Sequence, residues 1–466
     1  MRIAMLAEDP RIVGGIPRYA VPLGEALTRR GAEVHYLWAG GFSGRYDLHF
    51  KRRWQSSRAN GLTYHGLINP GSFGMNFGQP ELDVASPDSK YIRRRIEGIA
   101  PDVIHIHSFL GFPTELLEHL ASIAPVFISV HEFGLICQRR VLVQRGGAQC
   151  RTFATQTDCW TCVGTTRPGW GPWARMKFRL RHRQWARRIK VVVDPLIRLR
   201  LWPAIRFIGG QASAGDSPSF EIDATRESLT ARYAARLDAS LAAVNRHASR
   251  VLAVSSNVRD IMLEAGVDEH LVDVLHIGSA SASRLSPTPL PCANGADPVL
   301  LFLGGLVPGK GAHVLVDAVA SLRRPPRVII AGHLLDSEYG RQLQGKATDT
   351  VEFFGPYSPA DLPNLLACAD VVVAPATGPD TSPQTVLEAL AAGRPVIGSR
   401  IGGIPDFVHD GVNGLLFDAG DASALRAILE HLDANYVMRL ANHIQPPKAL
   451  GGHADELLSM YRNALP

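Results

Sequence analysis

The residues best suited to chemistry in this sequence begin with a glycine-rich turn in its C-terminal half. The segment Gly304–Lys310, GGLVPGK, follows an apolar run, precedes a helical pattern and fits the G-x-x-x-x-G-K spacing of phosphate-binding loops. Residue 311 is glycine, whereas a P-loop places there the serine or threonine that holds Mg²⁺. The turn therefore predicts a lysine that neutralises phosphate beside a helix start, not a P-loop NTPase. Glycines needed only for packing are the alternative.

A second candidate is the segment 380–388, DTSPQTVLE, where Ser382 followed by proline is typical of an N-cap and a first helical residue. The backbone N–H groups of Gln384 and Thr385 would then be free at the helix N-terminus and can bind a diphosphate. Glu388 lies about one turn further along, where its carboxylate can accept hydrogen bonds from ribose hydroxyls. A capped amphipathic helix with an incidental glutamate is the simpler alternative.

Strands and helices must position these residues, and the sequence alternates between the two in both halves. Short β-branched runs at 2–7, 102–107 and 125–131 are separated by helical patterns, and five further strand patterns alternate with helices between 299 and 398. Such alternation indicates parallel sheets with helical crossovers, and ligands bind at the carboxyl ends of such strands. The predicted fold class is α/β, with two Rossmann-like parallel-sheet domains facing across a cleft.

The predicted domains follow from breaks in this alternation. Residues 1–290 would form the N-terminal domain, with a cysteine-rich and basic insertion at about 137–230. Residues 291–445 would form the C-terminal domain, and 446–466 a last helix that returns to the N-terminal domain. The chain of 466 residues is 46% hydrophobic and 20% charged, which excludes a disordered or fibrous protein. No apolar run approaches the ~18 residues of a spanning helix.

The number of cysteines and the N-terminal sequence both indicate the cellular compartment of the protein. The first residues turn acidic without a cleavage site, so no signal peptide is expected, and six cysteines in a chain of this length indicate reduced thiols in the cytoplasm. Four of them, Cys137, Cys150, Cys159 and Cys162, have the spacing C-x12-C-x8-C-x2-C within the insertion. This pattern predicts a structural zinc site. Unrelated buried thiols, or redox or iron–sulfur chemistry, are the alternatives.

The positive charge of the chain is concentrated in residues 173–206, which hold eleven basic residues and one acidic residue, whereas the rest is slightly acidic. A helix there would place Phe178, Trp185, Ile189 and Val192 on one stripe. This pattern fits an interfacial helix on an anionic membrane. A solvated charged face packed on the N-terminal domain fits equally well. Few aromatic residues alternate with the charges, so nucleic acid is not the expected partner.

Taken together, the motifs resemble the large family of retaining, nucleotide-sugar-dependent glycosyltransferases with the GT-B fold, of the family 4 type, with a cysteine-bearing insertion. The resemblance covers nearly the whole chain except about 165–230. The motifs that carry it are Gly14-Gly15, His107, His131, 254–256, 304–311, Asp380 with Glu388, 389–397, 402–406 and 411–416.

The resemblance implies a role for each matched residue. Gly14 and Gly15 would let the backbone approach the donor sugar and phosphates, and His131 would lie at the sugar–acceptor junction. Lys310 would pair with the diphosphate, Glu388 with ribose and Asp380 with sugar hydroxyls. The implied chemistry is front-face displacement with retention, in which the leaving diphosphate takes the acceptor proton and no catalytic metal is required.

Two departures from the family pattern bear on the donor. Asp380 stands where the family has glutamate, and Gly305 stands where the family has an arginine that balances the charge of the diphosphate. Lys310 would then have to neutralise more of the negative charge of the diphosphate. The expected activity is sugar transfer from a nucleoside-diphosphate sugar to a glycan or lipid-linked saccharide in cell-surface polysaccharide synthesis. A GT-B epimerase or phosphorylase, or a non-catalytic scaffold with a degenerate donor site, are the alternatives.

Overall fold

Two parallel β-sheets, each flanked by helices, organise the protein. The structure is a computed structural model that describes residues 1–12, 14–41, 52–68, 70, 79–144, 149–163, 166–168, 219–221 and 226–465. The basic segment 173–206 and its predicted membrane-facing helix lie outside the described residues.

The first sheet has eight strands in the order β10-β9-β6-β5-β1-β2-β4-β3, while β7 and β8 pair separately. Neighbouring strands in it are parallel except for the antiparallel pair β3–β4. The strands are β1 (Arg2–Leu6), β2 (Glu33–Gly41), β3 (Arg53–Ala59), β4 (Leu62–Ile68), β5 (Val103–Ile106), β6 (Val126–Val130), β7 (Thr166–Pro168), β8 (Ser219–Glu221), β9 (Arg250–Ala253) and β10 (Val272–Val274).

The second sheet has six parallel strands in the order β13-β12-β11-β14-β15-β16. Its central strands are buried on both faces, as continuous apolar runs of parallel strands require. The predicted α/β fold with two Rossmann-like parallel-sheet domains is therefore confirmed. The strands are β11 (Leu300–Leu303), β12 (Val328–Ala331), β13 (Val351–Gly355), β14 (Val371–Ala374), β15 (Val396–Ser399) and β16 (Gly414–Phe417).

Helices connect the strands and cover both sheets. Among the residues that the structure describes, no helix combines the length and apolar character needed to cross a membrane. The helices are α1 (Gly15–Thr28), α2 (Glu81–Val84), α3 (Ser89–Ile99), α4 (Leu116–Ala121), α5 (Cys159–Val163), α6 (Arg226–His247), α7 (Ser256–Ala265), α8 (Ala312–Ala320), α9 (Glu338–Lys346), α10 (Leu362–Ala367), α11 (Gln384–Ala391), α12 (Ala422–Glu430), α13 (Ala434–Ala441) and α14 (Leu450–Asn463).

The C-terminal helix α14 packs on the first domain. Its buried residues Leu457 and Tyr461 belong to the same apolar core as strands β1 and β5. On its surface, Asp455 forms an ion pair with Arg30, two residues after the end of α1, and the Nε and Oδ1 atoms lie 2.5 Å apart. The end of the chain thus supports the helix that follows β1.

Candidate active site

The carboxyl ends of the two sheets approach each other, and hydrogen bonds join them directly. Thr381 Oγ1 donates to the carbonyl oxygen of His131 at 2.8 Å. Asp406 Oδ2 lies 2.8 Å from His276 Nε2 and accepts from the backbone N–H of Ser256 at 2.7 Å. Although burial alone would raise the pKa of Asp406, these hydrogen bonds hold it below its usual value. The segment that carries Asp380 is therefore held against the strand end that carries His131.

The glycine-rich turn after β11 is shaped by a close backbone contact. Residues Pro308–Lys310 form a single 3-10 turn, and Gly311 has a φ of +73°. A Cβ atom on Gly311 would lie 1.6 Å from the carbonyl oxygen of Pro375, so no side chain fits there. The serine or threonine of a P-loop is thus excluded at residue 311 on steric grounds.

Lys310 and Asp380, predicted to bind different parts of the donor, form an ion pair with each other. Nζ and Oδ2 lie 2.5 Å apart, and the side chains are 44% and 20% exposed, so both remain accessible to a ligand. The Asp380 backbone is held by a glycine pair: Gly403 N donates to its carbonyl oxygen at 2.7 Å, and a Cβ on Gly402 would lie 2.4 Å from the same oxygen. The carboxylate is therefore well placed to hold Lys310 when no donor is bound.

Helix α11 begins at Gln384 with Pro383 as its N-cap, so the prediction that Ser382 caps the helix is wrong. Pro383 has an extended backbone with ψ of 91°, which leaves it outside the helix, and the buried Ser382 Oγ has no hydrogen-bond partner among the described residues. The first helical hydrogen bonds run from Val386 N and Leu387 N to Pro383 O. The N–H groups of Gln384 and Thr385 thus have no partner within the described chain, and they can bind an anion.

Glu388 lies on this helix with a side chain that is 8% exposed. Ser281 Oγ donates a hydrogen bond to its Oε1. Burial raises the pKa of Glu388, while the Ser281 hydrogen bond and the positive charge of Arg18 oppose that rise. Sequence reasoning missed both partners. Ser281 lies near the predicted boundary between the domains at residue 290, and the only available indication for Arg18 was its place in the first turn after Gly15.

Gly14 and Gly15 stand at the start of α1, at the end of the connection that follows β1. Gly14 is the N-cap with extended backbone, and Gly15 is the first helical residue. A Cβ on Gly15 would meet no atom within 4 Å, and one on Gly14 would meet Glu8 Oε2 at 3.8 Å and Pro17 Cδ at 3.6 Å. The backbone of Gly15 therefore borders open space that a ligand can occupy.

His131 follows β6 and contacts a second histidine. Its Nε2 lies 3.1 Å from His107 Nδ1 at the end of the neighbouring strand β5. Burial lowers the pKa of His131 to about 3, so the ring is neutral near pH 7. The sequence placed both histidines at strand ends, but the contact between them was not predicted.

Beside His131, Arg140 forms a buried charge cluster that sequence reasoning also missed. Arg140 Nη2 lies 2.6 Å from Glu132 Oε1 and 3.3 Å from Glu8 Oε1, and it donates to Ser108 Oγ at 2.7 Å. Arg140 is 9% exposed and has a φ of +68°, which is uncommon for a residue with a side chain. The cluster fixes the start of the cysteine-rich insertion at the edge of the site.

The four cysteines of the insertion lie near one another without forming a ready metal shell. Burial, with the nearby thiols of Cys137, Cys150 and Cys162, raises the pKa of Cys159 to about 12. Cys159 Sγ donates a hydrogen bond to the side-chain oxygen Oε1 of Gln156 at 3.0 Å. In the described part of the chain, no three Cys, His, Asp or Glu side chains are arranged to hold a metal ion.

Two family models match the chain. Residues 13–195 match the model described as Glycosyltransferase Family 4, and residues 297–435 match the model described as Glycosyl transferases group 1.

Curated relatives match over shorter segments. The D-inositol 3-phosphate glycosyltransferase of Corynebacterium urealyticum is 32% identical over 182 residues, which cover 35% of this chain and 43% of that protein. The lipopolysaccharide core biosynthesis glycosyltransferase LpsE of Rhizobium meliloti is 35% identical over 147 residues, which cover 30% of this chain and 41% of that protein. The chain thus spans about two fifths of the length of these relatives.

Solved structures share the fold over the full length. Anabaena Alr3699/HepE, solved in complex with UDP and glucose, has a TM-score of 0.57 at 17% identity and covers 99% of this chain and 100% of its own. The sucrose-phosphate synthase of Thermosynechococcus elongatus has a TM-score of 0.60 at 16% identity and covers 99% of this chain and 98% of its own.

Proposed function

The chain belongs to the GT-B glycosyltransferases of group 1 and family 4, and on this premise we propose that it moves a sugar, a hexosyl group or a similar one, from a nucleoside-diphosphate sugar to a hydroxyl acceptor with retention of configuration. The observation that carries the proposal is the convergence of Lys310, Asp380, Glu388 and the free N–H groups of α11 where the two domains meet. The neighbour HepE was solved with UDP and with UDP-glucose, which supports a donor of this class.

The donor would bind along helix α11. Its diphosphate would accept hydrogen bonds from the backbone N–H groups of Gln384 and Thr385. Lys310 would break its ion pair with Asp380 and bind the diphosphate instead. The buried carboxylate of Glu388 would accept hydrogen bonds from the ribose hydroxyls. Because Gly305 provides no charge, Arg18 would supply a second cation from the opposite domain.

Transfer would then need no protein nucleophile. The acceptor oxygen would attack the anomeric carbon as its bond to the diphosphate breaks, on the same face, and the departing diphosphate oxygen would take the acceptor proton. Asp380, released from Lys310, would accept hydrogen bonds from the sugar hydroxyls. His131, which is neutral, would orient the sugar. With Lys310, Arg18 and two backbone N–H groups on the leaving diphosphate, no catalytic metal is required.

We place the acceptor among glycans and lipid-linked saccharides of cell-surface polysaccharide synthesis. The relative LpsE is named for lipopolysaccharide core biosynthesis, and the basic segment 173–206 would suit an anionic membrane surface. The enzyme would then work in the cytoplasm, peripherally bound to the inner face of the membrane. A structural zinc at the four cysteines would serve the fold of the insertion, since a four-cysteine shell leaves no open position for chemistry.

The test is product analysis with a panel of nucleotide sugars, with donor hydrolysis as the default readout and the anomeric configuration of the product read by NMR. Glu388→Ala and Lys310→Ala should each weaken nucleotide affinity at least roughly tenfold in calorimetry, because each loses a charge-assisted hydrogen bond worth ~1.5–3 kcal/mol. His131→Ala should keep the affinity and lower turnover. Glu352→Ala, which breaks an exposed ion pair with Arg327, is the control. Unchanged affinity in both donor-site variants would reject the assignment.

A further inference from the structure

The contact between His107 and His131 joins an inner and an outer ring at the ends of two parallel strands. His107 Nδ1 and His131 Nε2 lie 3.1 Å apart, which is hydrogen-bond distance. His107 is 1% exposed and cannot touch a ligand, whereas His131 is half-buried and can. Any effect of His107 on chemistry must therefore pass through His131.

Only one of the two rings can donate in this contact. Burial lowers the pKa of both histidines, so each ring is neutral near pH 7 and carries a single N–H. Either His107 Nδ1–H donates to His131 Nε2, or His131 Nε2–H donates to His107 Nδ1. The choice fixes the tautomer of both rings.

The surroundings of the remaining ring nitrogens favour the first arrangement. His107 Nε2 is buried and has no hydrogen-bond partner among the described residues. In the second arrangement this atom would carry a buried, unpaired N–H, whereas in the first it keeps only an unpaired lone pair. Among buried backbone groups, N–H donors without a partner are rarer than carbonyl acceptors short of one, and we expect the same asymmetry for ring nitrogens. The proton of His131 therefore belongs on Nδ1, which has no partner within the described chain.

Neighbouring side chains pack around the inner ring. His105 packs against His107 with ring centroids 4.0 Å apart. Both nitrogens of His105 are bonded: Nδ1 lies 2.5 Å from Tyr461 Oη on α14, and Nε2 lies 2.8 Å from Ser129 Oγ on β6. Tyr19 on α1 also lies near the His107 ring, with ring centroids 5.7 Å apart. The ring of His107 thus packs against side chains of β5 and α1 directly, and α14 and β6 hold His105 in place beside it.

We propose that His107 is a positioning residue that holds His131 in the Nδ1–H tautomer, so that His131 offers a hydrogen-bond donor to a hydroxyl oxygen of the transferred sugar. The role of this donor rests on the proposed sugar transfer, but the tautomer of His131 does not. In the other tautomer, His131 would carry its hydrogen on Nε2, so that Nδ1 could only accept a hydrogen bond and could not donate one to the sugar.

Two variants of His107 separate positioning from packing. His107→Phe keeps a ring but removes the hydrogen bond, and it should lower kcat about fivefold or more while the KM for the donor stays within about twofold. His107→Asn replaces Nδ1–H by an amide N–H and should recover most of the lost turnover. His431→Phe, at an exposed histidine of the other domain, is the control and should behave like wild type. Equal kcat in His107→Phe and wild type would overturn the proposal.

The tautomer is read directly by ¹⁵N-histidine NMR on the full-length protein, with the His131 resonances identified by their absence in His131→Ala. The wild type should show the proton on Nδ1, and His107→Phe should show a mixture of tautomers. A wild-type proton on Nε2, or an unchanged tautomer in His107→Phe, would overturn the proposal. If His107→Phe fails to fold, the wild-type spectrum and His107→Asn still decide. Absence of turnover with every donor would count against the proposed function alone.

Discussion

Binding of a nucleoside diphosphate should become tighter when Asp380 is replaced by asparagine. Without donor, Lys310 is held by Asp380 at 2.5 Å, so a diphosphate must compete with this carboxylate for the lysine. Asparagine keeps the shape of the side chain, removes its charge and frees Lys310. The nucleoside diphosphate without its sugar is the right ligand, because it makes no use of the sugar contacts of Asp380.

The size of the gain follows from the exposure of the pair. Lys310 is 44% exposed, so solvent screens the interaction and it falls in the range of surface ion pairs, ~0.2–1 kcal/mol. Freeing the lysine should therefore tighten binding of UDP, the nucleotide held by the neighbour HepE, by about 1.5- to 5-fold at low salt. The gain should shrink as salt rises. Turnover should fall in the same variant, because Asp380 is assigned to the sugar hydroxyls.

Isothermal titration calorimetry with UDP measures this competition. Asp317→Asn, which breaks the exposed Asp317–Lys346 pair on helices α8 and α9, is the matched control and should leave the affinity unchanged. In the Lys310→Met background, the Asp380→Asn gain should be smaller, because only direct repulsion of the diphosphate is relieved. An Asp380→Asn protein that binds UDP as weakly as wild type or more weakly would refute the competition between the carboxylate and the nucleotide.

Four further predictions concern other parts of the molecule. Because burial raises the pKa of Glu388, its ionised form destabilises the folded state; Glu388→Gln should raise the free energy of unfolding in urea at pH 7, and the difference should vanish as the pH falls below the ordinary glutamate pKa. If the cysteines hold zinc, elemental analysis should find about one metal per chain and Cys159→Ser should lose it; zinc-free folded protein would exclude the site. If residues 173–206 bind membranes, co-sedimentation with anionic liposomes should fall steeply with salt and neutral liposomes should bind poorly; equal recovery in the supernatant with and without anionic lipid would exclude it. Arg18→Ala should weaken UDP binding in calorimetry and Arg18→Lys should restore most of it; equal affinities would remove Arg18 from the donor site.

The elements that the sequence predicted are those whose burial gives a clear hydrophobic pattern. Strands β11 and β12 are buried on both faces and read as unbroken apolar runs. Strand β3 is almost wholly exposed, so its sequence RWQSSRA carries no alternation and was missed. Helix α6 was missed for a different reason: its buried face includes Arg236 and Ser240, which interrupt the apolar stripe. Arg236 is tolerated there because Asp83 Oδ2 lies 2.8 Å from its Nε.

The candidate site was predictable only where neighbours in sequence determine the geometry. The glycine-rich turn and the start of α11 depend on adjacent residues, and the helix start was misplaced by one residue because Pro383 stays extended. The Lys310–Asp380 and Ser281–Glu388 contacts join residues 70 and 107 positions apart. Such contacts depend on how strands are ordered in the sheet and how the domains meet, which local patterns do not specify.

The short segment 402–406 shows how one motif can serve both the donor residues and the orientation of the domains. Gly402 and Gly403 bring their backbone against Asp380, which a side chain on Gly402 would prevent. Directly after this pair, residues 404–406 form the turn that carries Asp406, which accepts a hydrogen bond from the backbone N–H of Ser256 in the N-terminal domain and contacts His276. The position of Asp380 is therefore coupled through five consecutive residues to the contact between the domains. In the proposed donor complex, Lys310 would leave Asp380 while the glycine pair keeps the backbone of Asp380 in place, so the rearrangement would be confined to the two side chains.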